Sequence, residues 1–260
     1  MSQDITRILD EWDFNPDANV RKIVGDDGVQ KIQVRVDQGA FQGVLQLNLD
    51  GRPDGKRPHD TDFALDHYRQ SLETHRQQHG GDRGFSLDRK ACQELFDESS
   101  RVYGRYVFLL QIKDYQRVVR DTERNMDLFR FVHQYAAQED DRQNLQRWWP
   151  YILRIYATAR AMLAFDAEDH DGAHQVLTQA IDDIQALPEV QAEEFFVERD
   201  RSREALEELR TDLAGKRPPT RRQRLERELE EAIAREDFER AAELRDQLKK
   251  LRESVFLSTL

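Results

Sequence analysis

The sequence predicts a mainly α-helical protein with a small antiparallel β-meander at its N-terminal end and a two-helix hairpin at its C-terminal end. Three observations carry this. Apolar residues alternate with period two only between residues 20 and about 50, and from about residue 61 they recur at spacings of three and four. Charged residues make up 35% of the 260 and the hydrophobic set 38%, a balance that suits well-solvated helices better than a thick sheet core. Only 7 Pro and 12 Gly interrupt the chain, too few for long disordered stretches.

In the meander, Ile32, Val34 and Val36 alternate with Lys31, Gln33 and Arg35, while Phe41, Leu45, Leu47 and Leu49 alternate with Gln42, Gln46 and Asn48. This predicts a half-buried sheet whose amide-rich and cationic face is in water. Gly25-Asp26-Asp27-Gly28 and Asp37-Gln38-Gly39 supply the turns, because Gly and Asp tolerate positive φ. The segment Gly51-Arg52-Pro53-Asp54-Gly55-Lys56-Arg57-Pro58 then ends regular structure. Ser86 is the expected N-cap of a long helix reaching about Lys113. A second helix, Tyr115 to about Gln138, aligns Val118, Thr122, Met126, Phe129 and Val132 on one face. Trp148-Trp149-Pro150-Tyr151 reads as a helix N-terminus set into the core, with a ligand pocket as the other use of so dense an aromatic cluster. That helix carries the stripe Trp149, Ile152, Tyr156, Ala159 and Leu163, and the next carries Ala173, Leu177, Ile181 and Ile184. Phe196 to Leu213 is a more polar helix, and Ala214 to Thr220, with its Pro218-Pro219, is the clearest linker. The expected division is thus 1–58, 59–213, the linker 214–220, a hairpin 221–252 and an apolar tail 253–260. The tail either docks on the hairpin or presents its carboxylate to a partner.

One corner recurs. Asp114-Tyr115-x-x-Val118, Asp169-His170-x-x-Ala173 and Asp237-Phe238-x-x-Ala241 each follow a helix and open another. The acid caps the new helix, the ring fills the corner, and the smaller residue lets two helices approach. Such hairpins are TPR-like, but the interval between corners is unequal, and a generic helix bundle using one corner design reads the same way.

Residues 221 to 252 read RRQRLERELEEAIAREDFERAAELRDQLKKLR. Leu225, Leu229 and Ile233 form one stripe, and Ala241, Leu244, Leu248 and Leu251 another. Two amphipathic helices joined by so short a turn pack antiparallel. Leu225, Leu229, Ala232, Asp237-Phe238, Ala241-Ala242 and Leu244-Arg245-Asp246, closing on Leu248 and Leu251, resemble the UVR motif of the excision-repair proteins UvrB and UvrC. The resemblance implies a protein-interaction element, as in UvrB–UvrC contact and in related segments of chaperone-ATPase subunits and adaptors such as McsA. It implies no catalysis. The block from Gly43 to Pro58 also resembles a segment of uncharacterised bacterial proteins that end in this motif. Phe238, Ala241, Ala242, Leu244, Arg245 and Leu248 are the candidate partner-binding residues. Phe238 is either an anchor or a plug for its own corner, and Arg245 either reaches a partner carboxylate or pairs with Glu243 or Asp246.

The remaining chemistry is sparse. His75 and His79 share a helical face as metal ligands would, but Gly80-Gly81 ends the helix and no further ligand has a place, so no metal is expected. Phosphate-binding glycine loops, zinc-protease and nucleophile-elbow patterns are absent from the sequence. A net charge of −11 argues against a phosphate-gripping surface, and residues 1–60 alone hold 8 Lys/Arg against 11 Asp/Glu. The single cysteine, Cys92, excludes an internal disulfide. The acidic start lacks an apolar leader and no run spans a bilayer, so a cytoplasmic address is expected. Together these predict a non-enzymatic adaptor or scaffold without cofactors. Its partners are proteins, with self-association through the hairpin as one form. The alternative is an excision-repair accessory contacting UvrC-like proteins or nucleic acid.

Overall fold

The computed structural model describes residues 4–217 and 221–257, with side chains from 224 to 249 in the second stretch. It forms two compact units, Met1–Thr211 and Asp212–Leu260.

The first unit opens with a short helix, α1 (Thr6–Asp10), and three strands, β1 (Val20–Val24), β2 (Gln30–Gln38) and β3 (Phe41–Asn48). The strands pair antiparallel in the order β1-β2-β3, with Val34 opposite both Val20 and Leu45. Gly28 and Gly39 turn the chain at φ of 75° and 59°, so the expected meander and its turns stand. Its burial differs from expectation on both faces. Ile32 and Val34 are buried as predicted, but Phe41 and Leu45 of β3 are exposed. On the other face Gln33 and Arg35 are buried, not solvated. Arg21 donates two hydrogen bonds to Gln33, which in turn donates to Gln46. Trp12 lies 4.1 Å from the Arg21 guanidinium, and Arg35 donates to the Trp12 carbonyl. The N-terminal segment therefore covers what the alternation marked as a wet face.

Helices follow: α2 (Ala64–His79), α3 (Arg89–Gln111), α4 (Tyr115–Tyr135), the short α5 (Glu139–Asn144), α6 (Trp149–Asp166), α7 (His170–Gln185) and α8 (Glu193–Lys216). The N-cap of α3 is Asp88, which accepts from the Ala91 N–H, and not Ser86. Leu87 is held extended by backbone bonds to Tyr135 and Ala137, which keeps Ser86 outside the helix. α4 packs between α3 and α6, and α6 packs on α7. Ala157, Ala159 and Ala161 are all buried on α6, as are Ala173 and Ala180 on α7, so the backbones approach closely. α8 runs through Ala214-Gly215-Lys216, so the expected linker is shorter than 214–220, and residues 218–220 lie outside the described ones.

The boundary expected at residue 58 separates nothing. Ile32, Val34 and Leu49 of the sheet share one apolar cluster with Val102, Leu109, Tyr115, Val118 and Ile155 of the helices. The Gly51–Pro58 loop is clamped to the same helices. Arg105 of α3 donates to both carboxylate oxygens of Asp121 at 2.6 and 2.8 Å, and to the carbonyls of Asn48 and Gly51. Glu98, also buried, accepts from the N–H groups of Ala64 and Leu65, capping α2 where Phe63 offers no side-chain cap.

Asp50, at the edge of this loop, is paired with Arg117 and Arg120. Their hydrogen bonds, Arg117 first, hold its carboxyl at about 2, below the ordinary 3.8. A depressed carboxylate adds stability that is complete above its unfolded pKa and is lost as pH falls through the folded one. An acid titration of unfolding should therefore show Asp50→Asn converging on the parent between about pH 4 and pH 2. A pH-independent offset between the two proteins would contradict this.

Candidate interaction surface

The second unit carries α9 (Arg221–Ala234) and α10 (Phe238–Leu257), packed on each other. Leu225, Ala232, Ala241 and Leu244 are buried between them, with Leu229 and Leu248 partly so. Ala232 and not Ile233 completes the inward row of α9, since positions 225, 229 and 232 follow the helical period more closely. Ile233 is left 44% exposed.

The three predicted corners share one construction. Asp114, Asp169 and Asp237 each accept a hydrogen bond from the N–H three residues on. The N–H of each Asp bonds back to the carbonyl five residues earlier, in Leu109, Ala164 and Ala232. The residue before each, Lys113, Glu168 and Glu236, is left-handed at φ of 59°, 61° and 58°. This is a helix C-cap fused to an N-cap, with Gly absent from the position that favours it. Val118, Ala173 and Ala241 are buried as expected. The ring position is where the corners diverge. Tyr115 is buried, whereas Phe238 is 71% exposed and plugs nothing.

The six candidate residues therefore separate. Ala241 and Leu244 are consumed in hairpin packing, and Leu248 mostly so, which leaves them able to position a surface but not to form it. Phe238, Ala242 and Arg245 are exposed. Glu243 is engaged by Arg240, which also reaches Glu228 across the hairpin, and among the described residues Arg245 makes no ion pair with Glu243 or Asp246. Ile233 was not foreseen, and together with Phe238 it places two large exposed apolar side chains on either side of one tight turn. The side chain of Leu251 and the tail 253–260 lie outside the residues whose side chains are described.

Elsewhere, the aromatic cluster divides. Trp149 packs edge-on against Phe129 in the core, while Trp148 is 39% exposed and lines a cleft with Tyr151. The His75 and His79 rings meet at a tilt of 36°, those of His59 and His67 stack, and among the described residues no group of three or more His, Cys, Asp or Glu is placed to hold a metal ion. Cys92 is buried, and burial pushes its thiol up to about 11, which leaves it unreactive. Among the described residues no helix is long and apolar enough to cross a membrane.

These features define a mainly helical protein whose C-terminal unit is a compact helical hairpin with an exposed aromatic at its turn. Residues 221–254 match the family model described as UvrB/uvrC motif, so the chain carries a UVR motif. No curated protein and no solved structure matches the chain.

Proposed function

We propose that this protein is a non-enzymatic adaptor that binds another protein through the turn end of its UVR hairpin. The observation that supports this most is Phe238, an aromatic side chain 71% exposed at the first position of α10. A soluble fold gains nothing from leaving a phenyl ring in water, and buried aromatics dominate the energies of protein interfaces. Ile233 adds a second exposed apolar side chain beside the turn, and Arg245 adds a cation suited to bidentate contact with a carboxylate. The UVR match agrees with this reading, because the motif mediates protein contacts in the excision-repair proteins that carry it. The same match favours a second reading, an excision-repair accessory whose partner is a UvrC-like protein.

Phe238→Ala is expected to reduce recovery of the partner from native cells by about 30-fold or more, the range of an aromatic hot spot. The thermal unfolding of the variant should match the parent, since the ring contributes little to hairpin packing. Undiminished recovery would remove Phe238 from the interface. The identity of the protein lost with Phe238 separates the two readings, and a second copy of this chain in its place would indicate self-association.

A further inference from the structure

The first unit contains a feature that the adaptor reading does not use. A cleft of about 510 Å³ opens among α3, α4, α6 and α8, within the size range of small-molecule sites. Tyr103, Tyr106, Trp148 and Tyr151 form much of its wall. Tyr103 and Trp148 are 45% and 39% exposed, so two large rings stand half in water at one opening. Tyr103 is held from behind: it meets Tyr106 edge-on at 5.5 Å, and its ring centre lies 5.8 Å from that of Tyr151.

The polar part of the lining is incomplete in a specific way. Asn125 is 1% exposed, and its amide nitrogen donates to the Ser99 carbonyl at 3.0 Å. Its oxygen, shielded from solvent, makes no hydrogen bond of ordinary geometry, and the Tyr106 hydroxyl is the neighbouring group that interacts with Asn125. Glu198 is 9% exposed, and one carboxylate oxygen accepts from Arg201 at 2.8 Å. The other oxygen has no hydrogen bond. Each of the two side chains thus keeps one oxygen without a protein hydrogen bond, that of Glu198 facing the Arg154 guanidinium at 3.8 Å. Buried acceptors of this kind call for a donor. The Glu198 carboxylate already lies between two guanidinium groups, Arg201 and, at 3.8 Å, Arg154, and the oxygens without hydrogen bonds are acceptors, which repel an anion. A cationic ligand would meet both guanidinium groups, so the complementary ligand is neutral.

We infer that this cleft binds a small neutral aromatic molecule bearing an N–H or O–H donor, of the indole or phenol class. The ring inserts between Tyr103 and Trp148, and the donor reaches the Asn125 or Glu198 oxygen.

The test uses the full-length protein with indole and 1-methylindole as probes, followed by saturation-transfer NMR. The pair differs in the N–H donor while keeping the same ring system. Indole is expected to bind saturably in the millimolar range or tighter, and 1-methylindole at least about tenfold more weakly, the effect of one unsatisfied acceptor. Tyr103→Ala and Trp148→Ala remove half-exposed side chains, so both should unfold like the parent while losing indole binding by about tenfold. Equal binding of the two probes, retained binding in both variants, or no saturable binding up to the solubility of indole would each overturn the assignment.

Discussion

Asp121→Ala is expected to lower the unfolding free energy of the first unit by about 3–5 kcal/mol, the loss seen when one member of a buried ion pair is removed. Both side chains of the Arg105–Asp121 pair are 1% exposed, and the guanidinium faces the carboxylate with two hydrogen bonds. Removing the carboxylate leaves a cation in a dry interior with only the Asn48 and Gly51 carbonyls for company. Water cannot reach it without opening the junction of sheet and helices. The double variant Arg105→Met/Asp121→Leu separates two roles. If the pair serves only its own charges, replacing both should recover most of the loss. The recovery should instead be partial, because Met cannot hold the Asn48–Gly51 loop that Arg105 grips. Denaturant unfolding of the parent, the single and the double variants measures this directly. Full recovery in the double variant would mean that the loop does not depend on Arg105.

That pair also marks where sequence reading stopped. Helical stripes and the Asp-led corners were legible because their periodicity and caps are local. Val118, Ala173 and Ala241 came out buried as their spacing required. The left-handed positions at Lys113, Glu168 and Glu236 were not legible, since the residue expected there is Gly. Nor could Arg105 be matched to Asp121 among 40 basic and 51 acidic residues, because pairing across a corner depends on the relative rotation of two helices. Asp88 and Ser86 are both good caps, and the backbone pairing of Leu87 with Tyr135 and Ala137 decides between them. The wet face of the meander failed for a related reason: its polar residues satisfy one another beneath the N-terminal segment. At the hairpin, the motif was legible but its division into inward and outward residues was not. Ile233 and Ala232 are adjacent on α9, and the packing of α10 selects the smaller one. Asn125 and Glu198 carried no signal, since their neighbours one helical turn away include Asp121, Glu194, Arg201 and Ser202, and only the cleft sets them apart.

Leu244→Ala should have a different effect from Phe238→Ala on the same hairpin. Leu244 is fully buried between α9 and α10, and shortening a buried Leu costs about 2–5 kcal/mol. A core made of four buried and two partly buried apolar residues holds little more than that in total. The substitution is therefore expected to unfold the second unit while the first unit keeps its own transition. Hydrogen exchange would show this as loss of amide protection across α9 and α10, with α3, α4 and α6 unchanged. Partner recovery should fall in both variants, for opposite reasons: Leu244→Ala loses the scaffold, and Phe238→Ala loses the contact while amide protection persists. If Leu244→Ala retained protection and still lost the partner, Leu244 would have to be reachable by that partner, and the hairpin would have to open to bind. If it lost protection yet kept the partner, the interaction would reside in the first unit, and the hairpin would not be the surface that recognises it.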